Sequence, residues 1–195
     1  VIETMRQWRT DLHYLELVHR LDRETSGCLI LAKKRSALRQ LHALLREGEV
    51  HKRYLVIVKG AWQRGEFRFE KGLSKHILRS GERMVRISDQ GTPAITVFRP
   101  LVVRSKASLL EVEILTGRTH QIRVHAAHLG HPVAGDEKYG DDDFNRYLRS
   151  MGLKRMFLHA RGVAFDLSEP HISIAVNAPL DDPFETALNA LRLAE

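Results

Sequence analysis

Short apolar runs and strictly alternating stretches dominate the chain, with helical periodicity confined to a few segments. Residues 28–33 (CLILAK) are a short apolar run entered from Ser26-Gly27, which predicts a buried strand. Ser36 can cap a following helix whose Ala37, Leu38, Leu41, Leu44 and Leu45 share one face, and Gly48 ends it. Residues 54–58 (YLVIV) predict a second buried strand, closed by Lys59-Gly60.

The middle third reads as antiparallel strands. Leu110, Val112 and Ile114 alternate with Glu111 and Glu113, as a half-buried strand does. Ala94 to Phe98 predicts another strand after the Gly91-Thr92-Pro93 turn. Residues 119–129 read as a helix capped by Thr119, with Ile122, Ala126 and Leu129 on one stripe. Residues 141–152 read as an exposed acidic turn and a short helix, and Ile172, Ile174 and Val176 alternate in a late strand. A final helix begins at Asp182-Pro183, with Glu185 completing a capping box and Phe184, Leu188 and Leu191 facing inward. Strands outnumber helices and follow one another, so the expected class is α+β with a mixed, largely antiparallel sheet flanked by helices.

At 195 residues the chain fits one domain able to bury a real core, and no internal boundary is evident. Its 43% apolar and 28% charged residues are ordinary for a soluble globular protein. No run of about 18 apolar residues occurs, so a transmembrane helix is not expected. The chain opens at Val1 with neither an initiator Met nor a basic-then-apolar leader, which suggests a fragment of a longer protein that is not secreted. A lone cysteine, Cys28, excludes an internal disulfide and fits a reducing, cytoplasmic compartment. Charge changes the picture more. A net +7 and a pI near 9.8 favour a polyanionic partner, because neutralised phosphates release condensed counterions.

Two polar clusters interrupt the apolar pattern. In His19-Arg20-Leu21-Asp22-Arg23-Glu24-Thr25-Ser26-Gly27, arginines flank Asp22 on both sides; the arrangement suits either a site carboxylate or a solvated loop of surface ion pairs. In Thr116-Gly117-Arg118-Thr119-His120-Gln121-Ile122-Arg123, Arg118 stands at a strand-to-helix junction and Arg123 just over one turn further on. From there an arginine can hold a carboxylate of another element in a bidentate fork, or simply form a basic helix face. His125, His128 and His131 recur every third residue, but Gly130 and Pro132 break the alignment and no HExxH occurs, so no metal is expected. Cys28 reads as a small buried hydrophobe and Ser26 lies outside a G-x-S-x-G elbow. Neither a P-loop nor a G-x-G-x-x-G is present, so no cofactor is indicated.

Together these segments resemble the pseudouridine synthase family of the RluA type. The resemblance rests on HRLDRETSG at 19–27, KRYLVIVKG at 52–60, LTGRTHQIRVH at 115–125, LGHPVAGDEKYG at 129–140 and FLHA at 157–160, in the family's order. It is nearest to the family's bacterial group acting on the large ribosomal subunit, partly through ILRSGERMVRIS at 77–88. The resemblance implies isomerisation of specific uridines to pseudouridine in 23S ribosomal RNA by a cytoplasmic, monomeric enzyme. It implies Asp22 as the catalytic aspartate, Tyr54 as the tyrosine that packs on the base, and Arg123 as the arginine that pairs with the aspartate. Arg20, Arg118, His120 and Leu158 are implied around the substrate, Arg20 as an aid to displacing the base. That reaction breaks the C1′–N1 bond, turns the uracil and rejoins it through C5, with one carboxylate as nucleophile or base and the base flipped from its stack. Two departures accompany the resemblance: no amino-terminal RNA-binding domain of the S4 type precedes the domain, and its first strands look truncated. The rival readings are a non-catalytic RNA-binding module, which has no need of Asp22, and a zinc-dependent hydrolase built on the histidines.

Overall fold

The computed structural model describes residues 1–77 and 83–194; residues 78–82, part of the 77–88 segment quoted above, lie outside the described residues. A short helix, α1 (Ile2–Trp8), precedes three two-residue strands, β1 (Glu16–Leu17), β2 (Ser26–Gly27) and β3 (Leu31–Ala32). The apolar run 28–33 is therefore not one strand. The backbone turns at Gly27 (φ 105°), so β2 joins the main sheet while β3 pairs with β1 in a separate ribbon. Helix α2 (Arg35–Glu47) carries the expected apolar stripe, with Leu41 buried and Leu38, Leu44 and Leu45 packed around Val18, Ala32 and Val50. Ser36 lies inside its first turn rather than capping it, and Lys34 holds the cap position without a side-chain bond. Gly48 ends the helix in the left-handed conformation that glycine tolerates best.

Strands β4 (His51–Lys59), β5 (Phe67–Glu70), β6 (Leu73–Ile77), β7 (Arg83–Ile87), β8 (Ile95–Val103) and β9 (Ala107–Ile114) lead to helices α3 (Gln121–His128) and α4 (Asp142–Ser150). Strands β10 (Leu158–Ser168) and β11 (His171–Asn177) and helix α5 (Asp182–Ala190) complete the described chain. The main sheet runs β11-β10-β4-β9-β8-β5, antiparallel throughout, with β2 added in parallel on β10; β6 and β7 form a separate hairpin. The class is α+β, as the pattern predicts.

Alternation along the central strands divides the core into two layers. Tyr54, Val56 and Val58 of β4, with Leu110, Val112 and Ile114 of β9, face Ile122 and Ala126 of α3. Ile57 and Leu109 point to the other face, against Phe144 and Leu148 of α4 and Phe184 and Leu188 of α5. Strand β9 is thus half-buried only beyond Leu110; residues 107–110 are buried on both faces. The segment at 141–152 is correspondingly less exposed than its acidic start suggests, because Phe144, Asn145 and Leu148 are buried. Each such large apolar side chain contributes about 1.5–3 kcal/mol by leaving water. In β11, by contrast, Ile172 and Val176 stay exposed at the sheet edge.

Two caps sit one residue from their expected places. His120, with φ 54°, precedes α3 in the role assigned to Thr119, and Asp181 caps α5 by accepting the Phe184 N–H. Glu185 thereby falls one position beyond the capping-box site.

Gly27 ties the loop after β1 to the sheet. A β-carbon there would stand 2.2 Å from the Ala160 carbonyl oxygen, at a φ that side chains rarely adopt. Gly27→Ala should therefore cost about 2 kcal/mol or more in denaturant unfolding. A loss below about 0.5 kcal/mol would show that the β2–β10 seam yields.

Candidate active site

Asp22 heads a tight turn, its carbonyl accepting the Thr25 N–H at 3.0 Å. The turn is held from behind. Ser26 and Gly27 pair with His159 and Ala160 of β10, and the Ser26 hydroxyl meets His159 Nδ1 at 2.9 Å and accepts from Arg155 at 2.8 Å. Arg155 is itself paired with Asp181 at the cap of α5. A short strand and a polar network thus fix where the Asp22 carboxylate points, which a solvated loop does not do.

It points into a cavity of about 610 Å³ between that loop, the ends of β4 and β9, and the start of α3. Arg123 Nη1 donates to Asp22 Oδ2 at 3.2 Å. The bidentate fork expected of Arg123 goes elsewhere: Nε and Nη2 donate to the two oxygens of Asp136 at 2.7 and 2.8 Å. Asp136 is fully buried and also accepts the N–H groups of Lys138 and Tyr139. Burial alone would raise its pKa, but the Arg123 fork and these N–H donors outweigh it and hold the carboxyl below its ordinary value. Arg123 lies over the Tyr139 ring, 5.1 Å from its centroid. Asp136 takes one edge of the guanidinium through two N–H groups, which orients the remaining nitrogen, Nη1, to present an N–H to Asp22.

Tyr54 and Leu158, on the paired strands β4 and β10, form part of the cavity wall and are buried. Burial, reinforced by the negative charge of Asp22, pushes the Tyr54 pKa up to about 12, so it is a neutral phenol near pH 7. His120 Nε2 stands 3.9 Å from Asp22 Oδ1, and its Nδ1 lies 2.8 Å from the Tyr139 hydroxyl. That hydroxyl accepts the Val85 N–H at 2.9 Å, which leaves its own proton free for His120 Nδ1. The His120 pKa is lowered by burial, with Arg123 adding to the effect and Asp22 opposing it. A neutral imidazole bonded this way carries its proton on Nε2, toward Asp22.

Of the residues implied by sequence, Asp22, Tyr54, Arg123, His120 and Leu158 converge on this cavity. Arg20 and Arg118 line it as exposed side chains. Arg118 does not share Arg123's contact with Asp22; its Nε donates to the Pro93 carbonyl. The sequence pattern does not by itself mark out Asp136 and Tyr139, although both lie inside the family-like segment GDEKYG at 135–140. The histidines recurring at 125, 128 and 131 serve separate contacts. His125 bonds Thr96 and the Lys71 carbonyl through its two ring nitrogens, His131 bonds the Lys59 carbonyl, and His128 packs on Phe69. Among the described residues no cluster of three His, Cys, Asp or Glu could hold a metal ion. No described helix is long and apolar enough to cross a membrane.

Known proteins share this arrangement of sequence and fold. A profile of the RNA pseudouridylate synthase family matches residues 6–128. The ribosomal large subunit pseudouridine synthase C of Pasteurella multocida (strain Pm70) is 49% identical over 98% of this chain and 59% of its own length. Its namesake in Escherichia coli (strain K12) is 46% identical over 100% of this chain and 61% of its own length. The chain thus spans about three fifths of the length of these curated relatives. Among solved structures, human RNA pseudouridylate synthase domain containing 4 superposes with a TM-score of 0.78 at 25% identity, covering 98% of this chain and 81% of that one. The human domain containing 1 gives 0.74 at 26% identity, covering 98% and 85%.

Proposed function

The chain belongs to the RNA pseudouridylate synthase family, and from that premise we propose that residues 1–195 act as one catalytic domain that converts uridines of 23S ribosomal RNA to pseudouridine. The observation that carries the reading is the meeting of Asp22, Arg123 and Tyr54, from three separate elements, on one cavity. The relatives are named as pseudouridine synthases of the ribosomal large subunit, which supports ribosomal RNA as the substrate, and the net charge of +7 suits it.

In this reading the target uridine leaves its stack and enters the cavity, its uracil received against Tyr54 and Leu158. Asp22 acts on the nucleotide as nucleophile or base while the C1′–N1 bond breaks. The uracil turns, C1′ bonds to C5, the C5 proton leaves and N1 gains one, so atoms balance without a redox step or phosphoryl transfer. Arg123 keeps the carboxylate aimed, and the His120 Nε2–H lies beside it to donate to the base or to Asp22. Tyr54, being neutral, offers a flat face and an O–H donor; it is not a ready base. Arg20 and Arg118 meet the RNA at the rim.

Tritium placed at C5 of uridine tests the whole reading. The purified chain should release it from 23S ribosomal RNA transcribed in vitro, and chemical mapping should find pseudouridine at a small set of positions. RNA bound tightly with no tritium released would favour the non-catalytic RNA-binding module instead.

A further inference from the structure

Lys52 stands two residues before Tyr54 on β4, and the alternation of a strand turns both side chains toward the same cavity. Three inward-lying arginines are tied to carboxylates: Arg123 to Asp22 and Asp136, Arg155 to Asp181, Arg99 to Glu113. The half-buried Lys52 ammonium is not. Among the described residues, none lies within hydrogen-bonding or ion-pairing distance of it. Burial alone acts on its pKa, downward, with no anion opposing it. Its Nζ lies 3.6 Å from the point a β-carbon of Gly117 would occupy. Gly117 is not in the left-handed region, so its backbone does not demand glycine; the missing side chain leaves room beside the ammonium. A desolvated cation without a counter-ion costs the free protein stability, and an arriving anion offsets that cost.

We infer that Lys52 is a phosphodiester subsite of this cavity, its ammonium taking a non-bridging oxygen of a phosphate attached to the nucleotide received against Tyr54. The inference rests on the uridine-isomerase reading. A flipped nucleotide brings its flanking phosphates with it, while its uracil is neutral, so the phosphate is the group that matches an unpaired cation. A compact ammonium with three rotatable donors suits a phosphate oxygen whose approach is not fixed in one plane. Beyond Gly117, Arg118 borders both this cavity and a neighbouring one of about 540 Å³ lined by Leu73, Lys75 and Thr92, which continues the path for the RNA strand.

Binding of uridine, uridine 5′-monophosphate and uridine 3′-monophosphate to the whole chain tests this, with Lys52→Met and Lys52→Arg as variants. The wild type should prefer one monophosphate over uridine by about 10-fold. Lys52→Met should lose that preference and Lys52→Arg keep most of it. Thermal unfolding of Lys52→Met should be unchanged or later, since an unpaired charge is removed and its aliphatic stem kept. In titrations with 23S ribosomal RNA, Lys52→Met should flatten the plot of log affinity against log salt by about 0.7. No phosphate preference in the wild type, or an equal preference in Lys52→Met, would overturn the inference. Tritium release by the wild type scores the isomerase reading separately. Release without a phosphate preference sinks only Lys52, and a phosphate preference without release sinks only the isomerase.

Discussion

Replacement of Asp22 by asparagine should lower the single-turnover rate of tritium release by on the order of 10⁴-fold or more, while RNA affinity changes by less than about threefold. The asparagine keeps the shape of the side chain and an oxygen to accept the Arg123 Nη1–H, so the loop and the guanidinium stay in place. What it removes is the carboxylate that Arg123 holds in the cavity, and its two nearest ionisable neighbours are poor substitutes as a base: Tyr54 is held neutral, and the lone pair on His120 Nδ1 is bound to Tyr139. Affinity should hold because the cavity rim keeps Arg20, Lys52 and Arg118, and the substitution subtracts a negative charge from a site that receives a polyanion. The check is release from saturating RNA beside a filter-binding titration of the same protein. An Asn variant turning over within about tenfold of the wild type would remove Asp22 from the chemistry.

The second large effect is expected at Asp136. Alanine there strips the Arg123 fork of both acceptors and leaves the Lys138 and Tyr139 N–H groups without theirs, in a fully buried place. Breaking a buried ion pair by removing one partner costs about 3–5 kcal/mol, so Asp136→Ala should unfold at markedly lower denaturant. The milder Asp136→Asn keeps one acceptor and should remain folded when cold. Its turnover should fall at least about tenfold with little change in the Michaelis constant, because Arg123 loses its fixed orientation toward Asp22. The sign of the pH dependence follows from the lowered pKa of Asp136. Its stabilisation is fully present above the ordinary value of 3.8 and is lost as pH falls through the lower, folded value. The stability gap between wild type and Asp136→Asn should therefore close on acidification below that range. A constant gap down to the acid limit would mean that the Arg123 fork contributes nothing that depends on charge.

Elements whose side chains meet water on one face were legible from the chain alone. The stripe Leu38, Leu41, Leu44 and Leu45, the left-handed stop at Gly48, and the strands around 54–58, 94–98 and 110–114 all stand near their expected places. Strand β10 was not legible, since its first residues are buried on both faces and show no period. The run 28–33 misled for another reason: only Leu31 and Ala32 form a strand, in the ribbon with β1, while the main sheet takes Ser26 and Gly27 just before the run, and burial does not say which residues pair. The resemblance placed Asp22, Tyr54 and Arg123 in one site, and the fold brings them together there. Which carboxylate receives which edge of Arg123 was decided by tertiary structure. Asp22 reaches Arg123 across 101 positions of chain, and Asp136 enters from a buried turn whose Gly135 and Gly140 have no room for a β-carbon. The same holds for the proton on His120, set by a Tyr139 hydroxyl that the hairpin residue Val85 has already engaged. Periodicity along a chain records whether each residue meets water, a property of one residue at a time. A hydrogen bond between distant side chains is a property of pairs, and only the closing of the sheet and the seating of α3 decide which pairs meet.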